Sequence, residues 1–226
     1  LALPRHLHLR VTALIFLATG VSAATGDPPA PSIAVPKPAT TDGVGYEWVI
    51  PQFTGSAVFS SDLDRPPWTR AARITGFLKL SSRARAEHPT HLYAGYDRSA
   101  LWLGFRCEGI DGRSAKTEAR ERDGRVWWDD AVEFYLSPDP AARQFFQFAA
   151  NAAGVAYDGK DTDGKWNAAW QVKASADASG FTVAMRIPFA QVKLRPPKPG
   201  ESWAVNFARH GPLTGCSTWA WCYNGL

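Results

Sequence analysis

The feature that most constrains the fold of this chain is a series of short segments in which apolar and polar residues alternate. The segments read HLYAGYD, ALWLGFRCEG, AVEFYL, QFFQFAAN, AWQVKASA, GFTVAMRIPF and SWAVNFARH. Turn-forming sequences such as SPDP, DGKDTDGK, DASG and RPPKPGE separate them, whereas helical periodicity is poor throughout. Alternation with a period of two is typical of strands that bury one face. The sequence therefore predicts an all-β chain with a single-domain antiparallel β-sandwich, or jelly roll.

The first residues have a different character and predict export. A basic start is followed by an apolar run from Val11 to about Ala24 that ends in small residues, which is typical of a secretory signal peptide over residues 1–23. The run is short for a membrane span of roughly 20 apolar residues, and after signal cleavage no membrane-spanning segment is expected. Residues 24–44 are rich in Pro and Ala and predict a linker. Residues 45–226 form the predicted domain, and we expect it to be secreted, periplasmic or at the cell surface.

Charge and cysteine content exclude several classes of protein. The formal net charge is +4, and the basic residues are scattered without a run, which argues against a nucleic-acid partner. Of the three cysteines, Cys107 alternates with apolar residues and is expected to be a buried hydrophobe. Cys216 and Cys222 are close enough in sequence to be candidates for a disulfide. No cysteine or histidine spacing indicates a zinc site.

Several strands carry a second face that mixes aromatic and planar polar groups. In AVEFYL this face has Ala131, Glu133 and Tyr135; in QFFQFAAN it has Phe145, Gln147, Ala149 and Asn151; in ALWLGFRC it has Trp102 and Arg106. A solvated face would be richer in Lys, Thr and Ser. The C–H faces of a sugar stack on aromatic rings, and its hydroxyls need fixed polar partners. Glu133, Gln147 and Asn151 are therefore candidate hydrogen-bonding residues of a carbohydrate site, although Glu133 could also be a solvated strand residue.

The stretch RVWWDDAVEFYL contains further candidates. Trp127 and Trp128 are adjacent, so at most one of them is expected to be a stacking platform on a given face; the other would pack or lie at the rim. Asp129 and Asp130 could cap the loop, bind calcium or act as catalytic carboxylates. Capping is favoured, because it is the commonest role of such residues. Catalysis is disfavoured, because a glycoside hydrolase needs two carboxylates at a set separation, about 5 Å or about 6.5–9.5 Å, and no spacing in the sequence shows such a pair.

Taken in order, several blocks of the chain resemble family 9 carbohydrate-binding modules and their wider relatives. The blocks are LDRPPW with TRAA, HLYAGYDRSALWLGFRCEGID, RDGRVWWDDAVEFYLSPD, QFFQFAANAAGVAYD, GFTVAMRIPFAQV and GESWAVNFARH. They extend from about Phe53 to the C-terminus. The resemblance implies a β-sandwich that binds sugars and is usually appended to a secreted enzyme that degrades polysaccharides. It also implies that the end of a β-glucan or xylan chain is held between two tryptophans, and that calcium supports the fold.

Some site residues of the family are matched in this sequence, and one is not. The first stacking tryptophan corresponds to Trp127, with Trp128 as the alternative one residue on. The glutamate that accepts hydrogen bonds from sugar hydroxyls corresponds to Glu133. The arginine of the next strand corresponds to Ala149, so the resemblance puts in doubt a charged, forked hydroxyl partner at that position.

The second stacking tryptophan of the family would follow Trp219, in the last loop. There the sequence reads AWCYNGL, so Trp221 or Tyr223 is the candidate substitute. The closing block of the family is absent, and we expect this domain to stop before the family's last strand.

The sequence contains two further candidate sites. Asp158, Asp161 and Asp163 in DGKDTDGK have the oxygen density of a structural calcium site, although a polar hairpin loop is the favoured explanation because the ligand spacing of a calcium loop is incomplete. A related sandwich family holds haem between a Met and a His, which makes a haem-binding electron-transfer domain the rival hypothesis. The single Met of the chain, Met185, alternates with apolar residues as a core residue would.

Together these observations predict non-catalytic binding of a polysaccharide or oligosaccharide of the β-glucan or xylan type. The domain would hold an attached or associated glycoside hydrolase near its substrate. The alternatives are the haem-binding domain and an interaction domain of the cell envelope without a sugar site.

Overall fold

The computed structural model describes residues 6–11, 37–38, 46–55, 57–82, 84–138, 144–161, 163–198 and 201–218. For residues 6–11, 37–38 and 46–47 it describes the backbone. Most of the predicted signal peptide, most of the predicted linker and residues 219–226 lie outside the described residues.

The described chain is built from short strands joined by turns. The strands are β1 (His6–Val11), β2 (Lys37–Pro38), β3 (Tyr46–Pro51), β4 (Ala72–Ile74), β5 (Leu78–Lys79), β6 (Thr90–Tyr96), β7 (Ala100–Glu108), β8 (Ala131–Ser137), β9 (Phe146–Asn151), β10 (Ala156–Lys160), β11 (Gln171–Asp177), β12 (Gly180–Pro188), β13 (Ser202–His210) and β14 (Ser217–Thr218). Short 3-10 turns lie at Trp68–Arg70, Gly112–Ser114, Val126–Trp128 and Phe189–Val192. The predicted all-β class is confirmed.

These strands form two sheets. The larger sheet has the order β10-β9-β8-β13-β1-β3-β2, with β14 and β5 joined to it through β13. The smaller sheet has the order β11-β12-β7-β6-β4. The pairs are antiparallel except that β1 runs parallel to β13. Strand β1 falls within residues 1–23, so the signal peptide stays a prediction.

The hydrophobic core lies between the sheets because alternation directs one face of each strand inward. In β8, Val132, Phe134 and Leu136 are buried in this core. Phe134 stacks on Phe207 of β13, with ring centroids 5.3 Å apart and planes 19° apart. Antiparallel register places these two residues directly opposite each other, so cross-strand aromatic pairing adds to burial.

Cys107 and Met185 are both core residues, as the sequence predicts. Burial raises the pKa of the Cys107 thiol to about 12, so it remains a neutral hydrophobe. Met185 lies opposite Leu103 in the middle of the smaller sheet and is fully buried among apolar side chains. The one methionine on which the haem hypothesis depends is therefore used for packing.

On the smaller sheet, the environment of Trp102 differs from the sequence prediction. Trp102 was expected to lie on a face available to ligand, but it is only 2% exposed. It packs in a second apolar cluster against Phe53, Leu63 and Trp68, and its ring meets that of Trp68 at 6.0 Å. The segment preceding β4 covers this face with the side chains of Phe53, Leu63 and Trp68. The candidate residues Glu133, Gln147 and Asn151 lie on the larger sheet.

Candidate functional site

The face of the larger sheet that points away from the core is called here the outer face. Its residues on three adjacent strands follow from the register: Ala131, Glu133 and Tyr135 on β8; Gln147, Ala149 and Asn151 on β9; Asn206, Ala208 and His210 on β13. The predicted faces of β8 and β9 are confirmed. Three segments that are distant in sequence are thus brought together.

Glu133 lies at the centre of the outer face between two alanines. Ala149 is directly opposite it on β9 and Ala208 is directly opposite it on β13. Alanine has no side chain beyond Cβ. The longer side chains two residues away on the same face of each neighbouring strand can therefore lean toward the carboxylate. Gln147 and His210 do so from opposite sides.

The contacts of Glu133 form a short polar chain. Nε2 of Gln147 donates to Oε1 of Glu133 at 2.6 Å and lies 3.3 Å from the hydroxyl of Tyr135. Nε2 of His210 lies 2.6 Å from Oε2 of Glu133. Glu133 itself is only 2% exposed. Its carboxylate is therefore engaged by protein groups on both oxygens, a limit on direct contact with ligand that the sequence could not show.

The charges of Glu133 and His210 stabilise each other. Burial acts to raise the pKa of the Glu133 carboxyl, but the hydrogen bond and charge of His210 outweigh it, and the pKa lies below its ordinary value. For His210, burial acts to lower the pKa, whereas contacts with the Cys216 thiol and with Glu133 raise it to about 10. At neutral pH the pair is a carboxylate and an imidazolium.

The two tryptophans project in different directions from the 3-10 turn Val126–Trp128. Trp127 is half-buried, and its ring meets that of Tyr157 edge to face, with centroids 5.0 Å apart and planes at 86°. Tyr157 is opposite Ala149 in the register, so these two rings form an aromatic corner beside Glu133. Trp128 is 62% exposed, with the guanidinium of Arg125 5.8 Å from its ring centre. Geometry thus distinguishes the two rings, and Trp127 is the one beside the outer face.

The carboxylates of Asp129 and Asp130 cap the loop, as the sequence favoured. Asp129 is buried and accepts hydrogen bonds from the backbone N–H groups of Glu118 and Ala119 at 2.9 and 3.0 Å. Asp130 accepts from the backbone N–H of Lys116 at 2.8 Å. These bonds tie the loop that carries Trp127 to the start of β8.

Asn151 does not fit the sugar-binding role proposed for it from the sequence. It is fully buried, and its amide nitrogen donates to Asp129 and to the carbonyl of Ala119. Its Oδ1 accepts from the backbone N–H groups of Ala153 and Val155. An amide with two donors and one oxygen has little left to offer a ligand, so this residue closes the turn between β9 and β10 instead.

The predicted calcium site is not assembled by the described residues. Asp158 is 0% exposed and binds Arg122, the backbone N–H of Ala168 and Nε1 of Trp170. Asp161 accepts from the backbone of Phe145, and Asp163 from that of Lys165. Across the described residues, no three His, Cys, Asp or Glu side chains gather as metal ligands would. Asp158 neutralises an arginine, whereas Asp161 and Asp163 stabilise turns.

Several earlier predictions fall on the C-terminal segment. Cys222, Trp221 and Tyr223 lie outside the described residues, and with them the disulfide to Cys216 and the second aromatic wall. The described chain reaches Thr218, whose Oγ1 lies 3.0 Å from Oδ1 of Asn206 on the outer face. Cys216 is a free thiol in the structure; its disulfide to Cys222 and the second aromatic wall remain predictions.

Sequence reasoning missed Tyr157 and His210. Both have weak local signals, since Tyr157 alternates with small residues in GVAYDG and His210 ends the segment SWAVNFARH. Alternation from Phe207 would have placed His210 on the outer face. Only the strand order, with β13 and β10 on either side of the β8–β9 pair, brings them beside Glu133.

By fold, the chain is a β-sandwich of the kind found in carbohydrate-binding modules. A protein from Bacteroides uniformis that is predicted to bind carbohydrate superimposes with a TM-score of 0.56 at 14% identity, covering 74% of this chain and 88% of that one. A family 9 carbohydrate-binding module from Caldicellulosiruptor kristjanssonii, solved with glucose, gives 0.51 at 14% identity, covering 74% and 84%. The resemblance noted in the sequence is confirmed for the fold. No protein-family profile and no curated protein matches the chain.

Among the described residues, no helix has the length and apolar character needed to cross a membrane.

Proposed function

We propose that this chain is a non-catalytic carbohydrate-binding domain whose ligand binds at the outer face. The observation that carries the proposal is the aromatic corner of Trp127 and Tyr157 beside the polar chain of Gln147, Glu133 and His210. An aromatic ring binds the C–H face of a sugar, and fixed polar groups bind its hydroxyls. Solved relatives in fold include a module that holds glucose, which supports this type of ligand.

The ligand class follows from the resemblance to family 9 modules. We propose oligosaccharides of the β-glucan or xylan type, bound in order to hold an attached or associated glycoside hydrolase near polysaccharide outside the cytoplasm. The domain itself performs no hydrolysis, because Asp129 and Asp130 are used as loop caps and Glu133 is paired with His210. Affinity would be modest, with Kd in the micromolar to millimolar range, about 4–8 kcal/mol.

The test is a titration of tryptophan fluorescence with cellobiose, xylobiose and their reduced alditols. A saturable change with the sugars supports the proposal, and its loss on reduction would show that the chain end is recognised. Trp127→Ala should abolish the change and leave the far-UV circular dichroism unaltered. Trp128→Ala is the matched control, because Trp128 projects into solvent. No response to any sugar from the folded protein would refute carbohydrate binding of this class.

A further inference from the structure

The polar chain on the outer face imposes one orientation on the amide of Gln147. Glu133 carries an ionised carboxylate, which only accepts hydrogen bonds. The NH₂ group of Gln147 must therefore face it, as the 2.6 Å contact from Nε2 shows. The same nitrogen lies 3.3 Å from the hydroxyl of Tyr135. The reversed amide would bring oxygen against carboxylate, so Oε1 of Gln147 is directed away from Glu133 and has no partner among the described residues.

His210 controls this arrangement from the other side of the carboxylate. Its Nε2 is 2.6 Å from Oε2 of Glu133, and its side chain is only 13% exposed. An imidazolium at this distance keeps Glu133 ionised and fixes the rotation of its carboxylate plane. A protonated Glu133 could instead donate to Oε1 of Gln147, and the amide would lose its single orientation.

The other titratable groups around the pair do not replace His210. Tyr135 on β8 and Tyr157 on β10 are phenols, and burial, followed by the nearby charge of Glu133, raises the pKa of Tyr157. Cys216 contributes a thiol beside the imidazole. Gln147 on β9 is uncharged. Among the described residues of the outer face, His210 thus supplies the cation next to Glu133.

We infer, resting on the proposed carbohydrate function, that His210 is a positioning residue: through Glu133 it fixes the Gln147 amide so that Oε1 accepts a hydrogen bond from a ligand hydroxyl. Glu133 organises this acceptor, which explains how a carboxylate that is only 2% exposed contributes to the site. The stacking rings then hold the sugar, and Gln147 selects its orientation.

The first test compares His210→Gln with His91→Gln by titration of tryptophan fluorescence with cellobiose and xylobiose. His91 is the matched control, since it lies 3.7 Å from Glu108 on the smaller sheet, away from the outer face. At pH 7 we expect His210→Gln to weaken binding about tenfold, because hydrogen bonds that involve charged groups contribute most. His91→Gln should bind as the wild type does.

A pH profile separates positioning from a structural role. The wild-type affinity should be nearly constant from about pH 5 to pH 8, where both members of the pair stay charged. In His210→Gln, Glu133 lacks its cation, so burial raises the pKa of its carboxyl and it takes up a proton at higher pH. Binding by the variant should therefore be lost at higher pH than binding by the wild type. A profile that is lower but unchanged in shape would overturn the inference.

Nuclear magnetic resonance of the imidazole gives a readout that needs no ligand. In the wild type, His210 should titrate near pH 10, and Glu133→Gln should move this midpoint toward the ordinary value for histidine. If His210→Gln does not fold, this measurement tests whether His210 is the charged partner of Glu133. Titration of the wild-type imidazole near neutral pH would overturn the inference. Failure of the wild type to bind sugar would refute the proposed function; sugar binding that is unaffected by His210→Gln would refute only the positioning role.

Discussion

Asp129 connects the stability of the domain with the position of its stacking tryptophan, and its removal is the most informative single perturbation. Its carboxylate accepts three hydrogen bonds, from the backbone N–H groups of Glu118 and Ala119 and from Nδ2 of Asn151, at 2.9–3.0 Å. Its own backbone N–H bonds to the carbonyl of Val126 at 3.1 Å. The buried side chain therefore holds the loop before β8 and the turn after β9, and the backbone of the same residue closes the Trp127 turn.

The expected cost of Asp129→Ala follows from these bonds. A hydrogen bond to a charged group contributes about 1.5–3 kcal/mol, and a buried donor left without a partner costs about 1–3 kcal/mol. Three such bonds are lost together, and water can satisfy some of the donors. We therefore expect the free energy of unfolding to fall by about 3–5 kcal/mol, a large part of the stability of a single domain.

Urea denaturation followed by far-UV circular dichroism measures this change. Asp163→Ala is the control, because Asp163 is exposed and caps one backbone N–H, that of Lys165, at 2.9 Å; it should cost less than about 1 kcal/mol. Asp129→Ala should also weaken sugar binding, since Trp127 precedes it in the same turn. A cost below about 1 kcal/mol for Asp129→Ala would refute the reasoning that its three bonds hold the loop.

Two further predictions concern buried charges. The folded pKa of His210, about 10, lies above its ordinary value of 6.5, so its stabilising contribution is complete below about pH 6.5 and is lost as pH rises through 10. The free energy of unfolding, followed by thermal melts, should therefore decline by roughly a few kcal/mol on this alkaline side. The decline should be absent in His210→Gln, and an equal decline in the variant would contradict the assignment. Asp158→Ala should destabilise the fold strongly, because it removes the charge partner of Arg122 and leaves Nε1 of Trp170 and the backbone N–H of Ala168 without their acceptor; excess calcium or chelator should not alter that loss. A melting temperature that rises with calcium in the wild type but not in Asp161→Ala would restore the calcium site.

Local patterns in the sequence determined the class of fold and several parts of the site. Alternation in AVEFYL assigned Phe134 to the core and Glu133 to the other face, because successive side chains of a strand point in opposite directions. Loop chemistry also favoured capping by Asp129, since a short carboxylate just before a strand is well placed to accept backbone hydrogen bonds. These are properties of neighbouring residues, and they require no knowledge of strand order.

Only the tertiary structure decided which side chains meet. His210 contacts Glu133 across 77 positions of sequence, and it does so because β13 pairs with β8 in a register that places alanines around the carboxylate. Trp102 has the same alternation as a ligand-facing residue, yet a distant segment covers it. Period-two alternation specifies a face but not its neighbours. Strand order and register arise from long-range packing, and these produced the paired charges at the centre of the site.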